Sequence, residues 1–539
     1  MFCNTPQVNQ LTALLLSHQI KDVVVCPGSR NATIVHNLNE LKGSVNIHPI
    51  TDERSAAFVA LGMVLATDCA VAVCVTSGSA LLNCIPAVAE AYYRHLPLLV
   101  ISADRPSQWI NQLDGQTLNQ VDALMPYCPT FSVRPSRSEV EYWSNNRNIN
   151  QAFLYLQRNG GTPSHINIEI EEPMFNFTTE ELPNELVVKL HSNINSGYLP
   201  QEVIKLISDA RLPVLLVGQY EKGDIRHEVN QLAAEDQLLV LPEIISDVKG
   251  NYLMNAFDEL SSTSQAVTPD VVVQIGGNFV HKKFKSLLRN TPCKIVRIGY
   301  DDYMPDTFCQ LNHWIQADVA QVLKQLVSVL PKNKKSVLDA RLLLEKTSQQ
   351  LLANTTINDE LSFNMVLKNV CNYLHSDNRT SFTLHLANST AVRAASLVFE
   401  SGCYPIFCNR GVNGIEGSLS VAVGYAMKMW GLHIVVIGDL SFFYDANALW
   451  NVALPSNLRI LLINNGRGGI FDHLSGLSVS PARNDYIAAG KKHYTAQGIC
   501  QTFAVDYTKA ETTAQLLNAI PHWLNEQSTS AKLLEVSIS

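Results

Sequence analysis

The chain has 539 residues, 46% hydrophobic and 16% charged, with 27 Gly and 23 Pro; this is an ordinary globular composition that excludes a disordered or collagen-like chain. The formal net charge is −8 with no long basic block, so neither nucleic acid nor an anionic membrane is an expected partner. The 12 cysteines form no CxxC pair, the start lacks a basic leader and no apolar run is long enough to span a membrane; the expectation is a soluble cytoplasmic protein with reduced, buried thiols.

Length alone suggests about three domains. In the first 180 residues short apolar runs alternate with helical patterns, the signature of a parallel sheet with helices on both faces. A helix from Val8 to His18 leads to a strand from Asp22 to Cys26 and the loop Pro27-Gly28-Ser29-Arg30. A strand from Val45 to Ile50 leads to Thr51-Asp52-Glu53-Arg54 and a helix from Ser55 to Ala66. Strands from Ala70 to Thr76 and from Leu98 to Ser102 end at Ser77-Gly78-Ser79 and Ala103-Asp104-Arg105. Glu53 either complements the dipole of the helix it precedes or serves a site at this rim.

Residues 181–196 are polar and without period, which reads as a linker. A middle layer over 197–330 is expected from strands Pro213–Gly218, Leu238–Leu241, Val271–Gly276 and Lys294–Ile298. No strand there is followed by G-x-G-x-x-G, so no nicotinamide or flavin dinucleotide is predicted. Lys282 and Lys283 form either a solvated helix face or an anion clamp. Pro331 to Leu352 reads as a helical connector to a third domain, 355–539.

The third domain opens with a helix from Asn364 to Leu374. A strand from Ser381 to Leu386 ends at Ala387-Asn388-Ser389, with Arg393 one helical turn on. A strand from Ile406 to Cys408 ends at Asn409-Arg410-Gly411. A β-branched run from His433 to Ile437 then ends in Gly438-Asp439 and a second run from Arg459 to Ile463 in Asn464-Asn465-Gly466, placing polar residues at the carboxyl ends of buried strands, where open α/β sheets bind ligands. Asp439, the Asn465 amide and a backbone carbonyl such as that of Arg467 are hard oxygen donors suited to Mg²⁺, with positions left for a diphosphate. The alternative makes Asp439 only the N-cap of a helix from Tyr444 to Val452 and Asn-Asn-Gly only a turn.

Taken together, GDL followed by INNGRGGIF, with Glu53 after a strand in the first domain, resembles the thiamine diphosphate-dependent enzymes. CPGSRN, TDERSAAF, TSGSA, ADRP, GQTLNQ and NRGVNGIEG are similar to the branch of that family that serves menaquinone biosynthesis, in which GDL replaces the usual GDG. The resemblance implies three doubly wound parallel-sheet α/β domains, of pyrimidine, middle and diphosphate type. It implies thiamine diphosphate with Mg²⁺ (or Mn²⁺), decarboxylation of 2-oxoglutarate, and addition of the resulting succinic semialdehyde carbanion to isochorismate. It assigns the metal to Asp439, Asn465 and the carbonyl of Arg467. It assigns cofactor contacts to Glu53, Arg410, Ile415, Gly438, Ile470 and Phe471, with Glu53 as the activating acid and Ile415 as an apolar wedge. It places Ser29, Arg30, Arg105, Gln116, Lys282, Lys283, Ser389, Arg393, Arg410, Phe471 and Leu474 around the acidic substrates, with Arg30, Ser389 and Arg393 catalytic beside Glu53. It also implies a homodimer or homotetramer with the site between chains. A different thiamine diphosphate-dependent decarboxylase or carboligase, or a non-catalytic metabolite-binding relative, is the alternative.

Overall fold

The computed structural model describes residues 1–538 apart from 191–197, 251–253, 261–266, 354–360, 378–380, 452–453, 475 and 491–493. The first sheet contains β1 (Asp22–Val25), β2 (Asn46–Pro49), β3 (Val71–Val75), β4 (Leu98–Asp104), β5 (Thr130–Val133) and β6 (Ser164–Glu169). The middle sheet contains β7 (Pro213–Val217), β8 (Leu239–Pro242), β9 (Val271–Ile275), β10 (Lys294–Gly299) and β11 (Leu311–Gln316). The third contains β12 (Phe382–Leu386), β13 (Ile406–Cys408), β14 (Leu432–Gly438), β15 (Leu458–Asn464), β16 (Asp506–Ala510) and β17 (Lys532–Ser537). All pairings within these sheets are parallel. Among the described residues, no helix is long and apolar enough to cross a membrane.

The strand orders are β2-β1-β3-β4-β6-β5, β11-β10-β9-β7-β8 and β13-β12-β14-β15-β17-β16. The first and third are one topology written twice, and in both the order reverses between the first strand and the third, the crevice where such sheets hold ligands.

The repeated halves meet through matching helices, Glu53–Thr67 after β2 and Ser418–Ala426 after β13. Both are rich in small apolar residues and almost wholly buried. Glycine is required at the crossing: a Cβ on Gly62 would lie 2.0 Å from the Val421 carbonyl oxygen, and one on Gly424 would lie 2.0 Å from that of Val59. The two backbones touch, and the apolar core runs without a break from Val24 and Val73 of the first sheet to Leu384 and Ile434 of the third. Polar ties flank this seam: Asp22 on β1 accepts from Lys428 Nζ at 2.8 Å and His48 Nε2 at 2.9 Å.

The middle domain keeps a core on each face of its sheet. The expected connector is the helix Lys335–Ala353, and it folds back: Val337, Ala340 and Leu344 join the middle core. Of the expected linker, 191–196 lie outside the described residues. The part before them straps the first domain, with Glu185 accepting from Tyr142 and Asn146 and the Leu186 carbonyl from Asn146 and Asn150. The expected start of the third domain, residue 355, also lies outside the described residues. Nine of the 12 cysteines are buried, and Cys69, Cys309 and Cys403 are exposed.

Candidate active site

The third sheet sets out its polar strand ends side by side. Gly438 pairs with Ile463, so Asp439 and Asn464 follow at the same level on neighbouring strands. Asp439 is buried and begins the short helix Asp439–Tyr444, for which Gly438 is the N-cap. The capping alternative is therefore corrected: Asp439 is the first helical residue of a helix that ends at Tyr444, and Val452 lies outside the described residues.

The two asparagines divide their work. Asn464 is buried, donates to Glu535 Oε1 and the Tyr494 carbonyl at 2.7 Å each, and accepts from Gly466 N at 3.0 Å. That occupies Asn464 in the fold, whereas half-buried Asn465 is next to the turn. The turn, which carries the Arg467 carbonyl expected to serve the metal, is pinned by Gly468 N donating to Ala488 O at 2.7 Å and by the Arg467 guanidinium meeting Asp472 at 2.8 Å. Among the described residues no group of three or more His, Cys, Asp or Glu side chains is arranged to hold a metal. A mixed set of one carboxylate, one amide and one carbonyl does fit a divalent cation that prefers hard oxygens and retains open positions. Ile470 and Phe471 follow on the short helix Gly469–His473, both half-buried, and Leu474 is exposed beyond it.

Two arginines converge on the same edge. Arg410, after β13, is buried, with Nη1 donating to Asn388 Oδ1 at 3.2 Å and Nε buried without a partner. Arg393, after β12, has a buried Nη1 without a partner, and burial followed by the Arg410 charge lowers its pKa. Buried, unanswered N–H groups on adjacent cations cost free energy unless an anion meets them. Ser389, one turn before Arg393, holds φ +70°, an uncommon conformation for a non-glycine residue and one that concentrates at functional sites. Ile415 is partly exposed after Arg410.

The first-domain candidates form a second group. Glu53 is half-buried at the first position of its helix, capped by Asp52, whose carboxylate accepts from Ser55 N at 3.1 Å and from Asn447 Nδ2 of the third domain at 2.5 Å. Arg30 is buried and donates to the Ile170 carbonyl at 3.1 Å and to Glu172 at 3.2 Å. Arg105 pairs with Asp114 at 3.1 Å and keeps a buried, unpartnered Nε. Arg30 and Arg105 line one cavity with Trp109 and Gln112, whereas Arg410 lines another beside Lys285 and Asn278. Burial lifts the neighbouring Asp104 carboxyl to about 6 against hydrogen bonds from Asn167 and Arg105 N. Ser29 and Gln116 are exposed, and Gln116 lies over Gly78 with φ +53°.

Lys282 and Lys283 occupy the first turn of the helix Lys282–Asn290 with both side chains exposed; Lys285 is the lysine of that helix that lines the cavity with Arg410. Sequence reasoning also passed over Asn388, whose amide donates to the Asn409 and Gly414 carbonyls while its oxygen accepts from Arg410. The available signal was an asparagine just past the end of a fully buried strand.

The family described as thiamine pyrophosphate enzyme, N-terminal TPP binding domain, matches residues 8–123. The 2-succinyl-5-enolpyruvyl-6-hydroxy-3-cyclohexene-1-carboxylate synthase of Bacteroides thetaiotaomicron is 36% identical over 547 residues, covering 99% of this chain and 96% of that protein. The chain belongs to this synthase family. The synthase of the same name from Phocaeicola vulgatus is 36% identical over 549 residues, with 99% and 96% covered, and that of Flavobacterium johnsoniae 32% over 520 residues, with 92% and 90% covered. As a member of this synthase family the protein is a thiamine diphosphate-dependent enzyme, a carboligase of menaquinone biosynthesis.

Proposed function

We propose that this synthase joins 2-oxoglutarate to isochorismate with loss of CO2, giving 2-succinyl-5-enolpyruvyl-6-hydroxy-3-cyclohexene-1-carboxylate. Thiamine diphosphate, when bound, supplies the electron sink that decarboxylation needs. The observation that carries the substrate assignment is the Arg393–Arg410 pair, two adjacent cations with buried, unpartnered N–H groups, suited to substrates that bring several carboxylates to one site.

In this reading Asp439, Asn465 and the Arg467 carbonyl hold Mg²⁺ or Mn²⁺ against the diphosphate, and Gly438, Ile415, Ile470 and Phe471 form the surrounding wall. Glu53 hydrogen-bonds the aminopyrimidine end through its carboxyl. Arg30, Arg105, Gln116, Ser29, Ser389, Arg393, Arg410 and Leu474 orient the substrates, with Lys282 and Lys283 as outer cations. The working unit is a homodimer or homotetramer in which the first-domain rim of one copy faces the third-domain rim of another. Exposed apolar side chains along both rims support this, among them Trp109, Leu113, Val479 and Tyr486.

The test is product formation followed by mass spectrometry with thiamine diphosphate, Mg²⁺, 2-oxoglutarate and isochorismate, each omitted in turn. The expected adduct forms only in the complete mixture. Turnover of pyruvate in place of 2-oxoglutarate would overturn the substrate assignment while leaving the cofactor chemistry intact.

A further inference from the structure

The middle sheet reverses its order between β7 and β9, yet the side chains just past those strands grip protein. Gln219 Nε2 donates to the Cys408 carbonyl at 2.8 Å, and Asn278 Nδ2 donates to the Arg410 carbonyl at 3.0 Å. The loop they hold leaves the three-residue strand β13 and reaches regular structure again only at Ser418. It carries Arg410, and within its own domain Asn388 ties its Asn409 and Gly414 carbonyls.

The first domain grips the same loop through Glu90. This carboxylate is 1% exposed, on the helix Ile85–Tyr93 among Ala87, Val88 and Ala91. Glu90 Oε1 accepts from Gly411 N at 2.9 Å and Oε2 from Val412 N at 2.8 Å, the two amides directly after Arg410. A charge buried this deeply is costly unless fully bonded. The plainer reading, that Glu90 is there to neutralise Arg94, fits the distances poorly. Arg94 lies 3.4 Å from Glu90 and is already held through both Nε and Nη2 by Glu221, while its Nη1 also reaches Asn409 Oδ1 at 3.1 Å. The shorter Glu90 bonds go to the loop. Gly411 is matched to this contact, since a Cβ there would lie 2.8 Å from the Glu90 carbonyl oxygen and 2.9 Å from its carboxylate.

We propose that Glu90 is a positioning residue for Arg410: by holding the two amides that follow it, Glu90 fixes where the Arg410 guanidinium meets an acidic substrate without touching that substrate. This rests on the substrate-binding reading of Arg410 given above.

The experiment is steady-state kinetics of the full-length enzyme with 2-oxoglutarate and isochorismate for Glu90→Gln, Arg410→Ala and the double variant. Glutamine turns one acceptor oxygen into a donor facing an N–H, so the loop must shift. Glu90→Gln should raise the KM of one substrate by about 10- to 100-fold, with kcat close to the parent's. The same KM should rise in Arg410→Ala, and in that background Glu90→Gln should add nothing. An unchanged KM in Glu90→Gln beside a raised one in Arg410→Ala overturns the positioning role, as does an additive double variant. If Arg410→Ala moves neither KM, the substrate-binding reading of Arg410 falls and the proposal falls with it. Should Glu90→Gln fail to fold, Gly411→Ala presses the same contact from the other side and must reproduce the KM rise; no rise overturns the proposal.

Discussion

The first and third sheets share a strand order, and their matching strand ends carry different chemistry. After β2 comes Asp52-Glu53, and after its counterpart β13 comes Asn409-Arg410. After β4 comes Arg105, and after its counterpart β15 comes Asn465. The oxygen donors suited to a metal stand on the third edge and the candidate activating acid on the first, while the helices between the halves kept a common small-residue character. The difference teaches that a repeated frame holds its packing helices and strand order while its loops diverge into separate tasks.

The largest test of that division is Asp439→Ala. It should weaken Mg²⁺-dependent thiamine diphosphate binding at least about 100-fold in titration calorimetry; parent-like affinity would remove Asp439 from the metal site. Glu53→Gln should do the opposite, leaving that affinity largely intact and lowering kcat by about 10²- to 10⁴-fold, and undiminished turnover would end the assignment of Glu53. The common frame is tested at the seam. Gly424→Ala, which puts a Cβ 2.0 Å from the Val59 carbonyl, should cost about 1–3 kcal/mol in a denaturation curve. Gly498→Ala, with nothing within 4 Å, should cost nothing measurable; equal effects in the two would mean the seam is not tight.

The smallest effect concerns the tie between the halves. Burial opposes the charged form of Asp22, but hydrogen bonds from His48 and Lys428 and the Lys428 charge outweigh it, bringing the carboxyl from 3.8 to about 2. A depressed acid stabilises the fold above its ordinary value, and that contribution fades as pH falls from 3.8 towards 2. Asp22→Asn should therefore lose about 1–2 kcal/mol at pH 7, with parent and variant converging in acid. A difference that persists at low pH would point to packing rather than charge.

Much of this was legible in the chain. Apolar runs ending in polar residues marked β1, β4, β12, β14 and β15, and the residues past them are the candidate site. β6 alternates in the sequence, Ile166 and Ile168 against His165, Asn167 and Glu169, but a half-exposed strand is what such alternation suggests, whereas both its faces are buried and the polar one is satisfied inside the protein: His165 and Asn167 bond Ser102, and Glu169 bonds Ser107 N. β11 is an edge strand with alternate residues exposed, and its weak pattern passed for loop. Glu90, Gln219 and Asn278 were invisible for another reason. Their partners are backbone groups more than a hundred residues away, and no local spacing records such a bond. The shared core was equally hidden, since periodicity shows that a helix has an apolar face and not which distant helix covers it.

That shared core has a consequence in time. The helix from Glu53 to Thr67 is complete about 350 residues before its partner from Ser418 to Ala426 has been made. At about 5–20 residues per second, translation leaves the earlier helix uncovered for roughly 20–70 s. Phe58, Val59 and Gly62 face that interval without the helix that covers them in the finished fold, an apolar surface of the kind that draws nascent chains into aggregation.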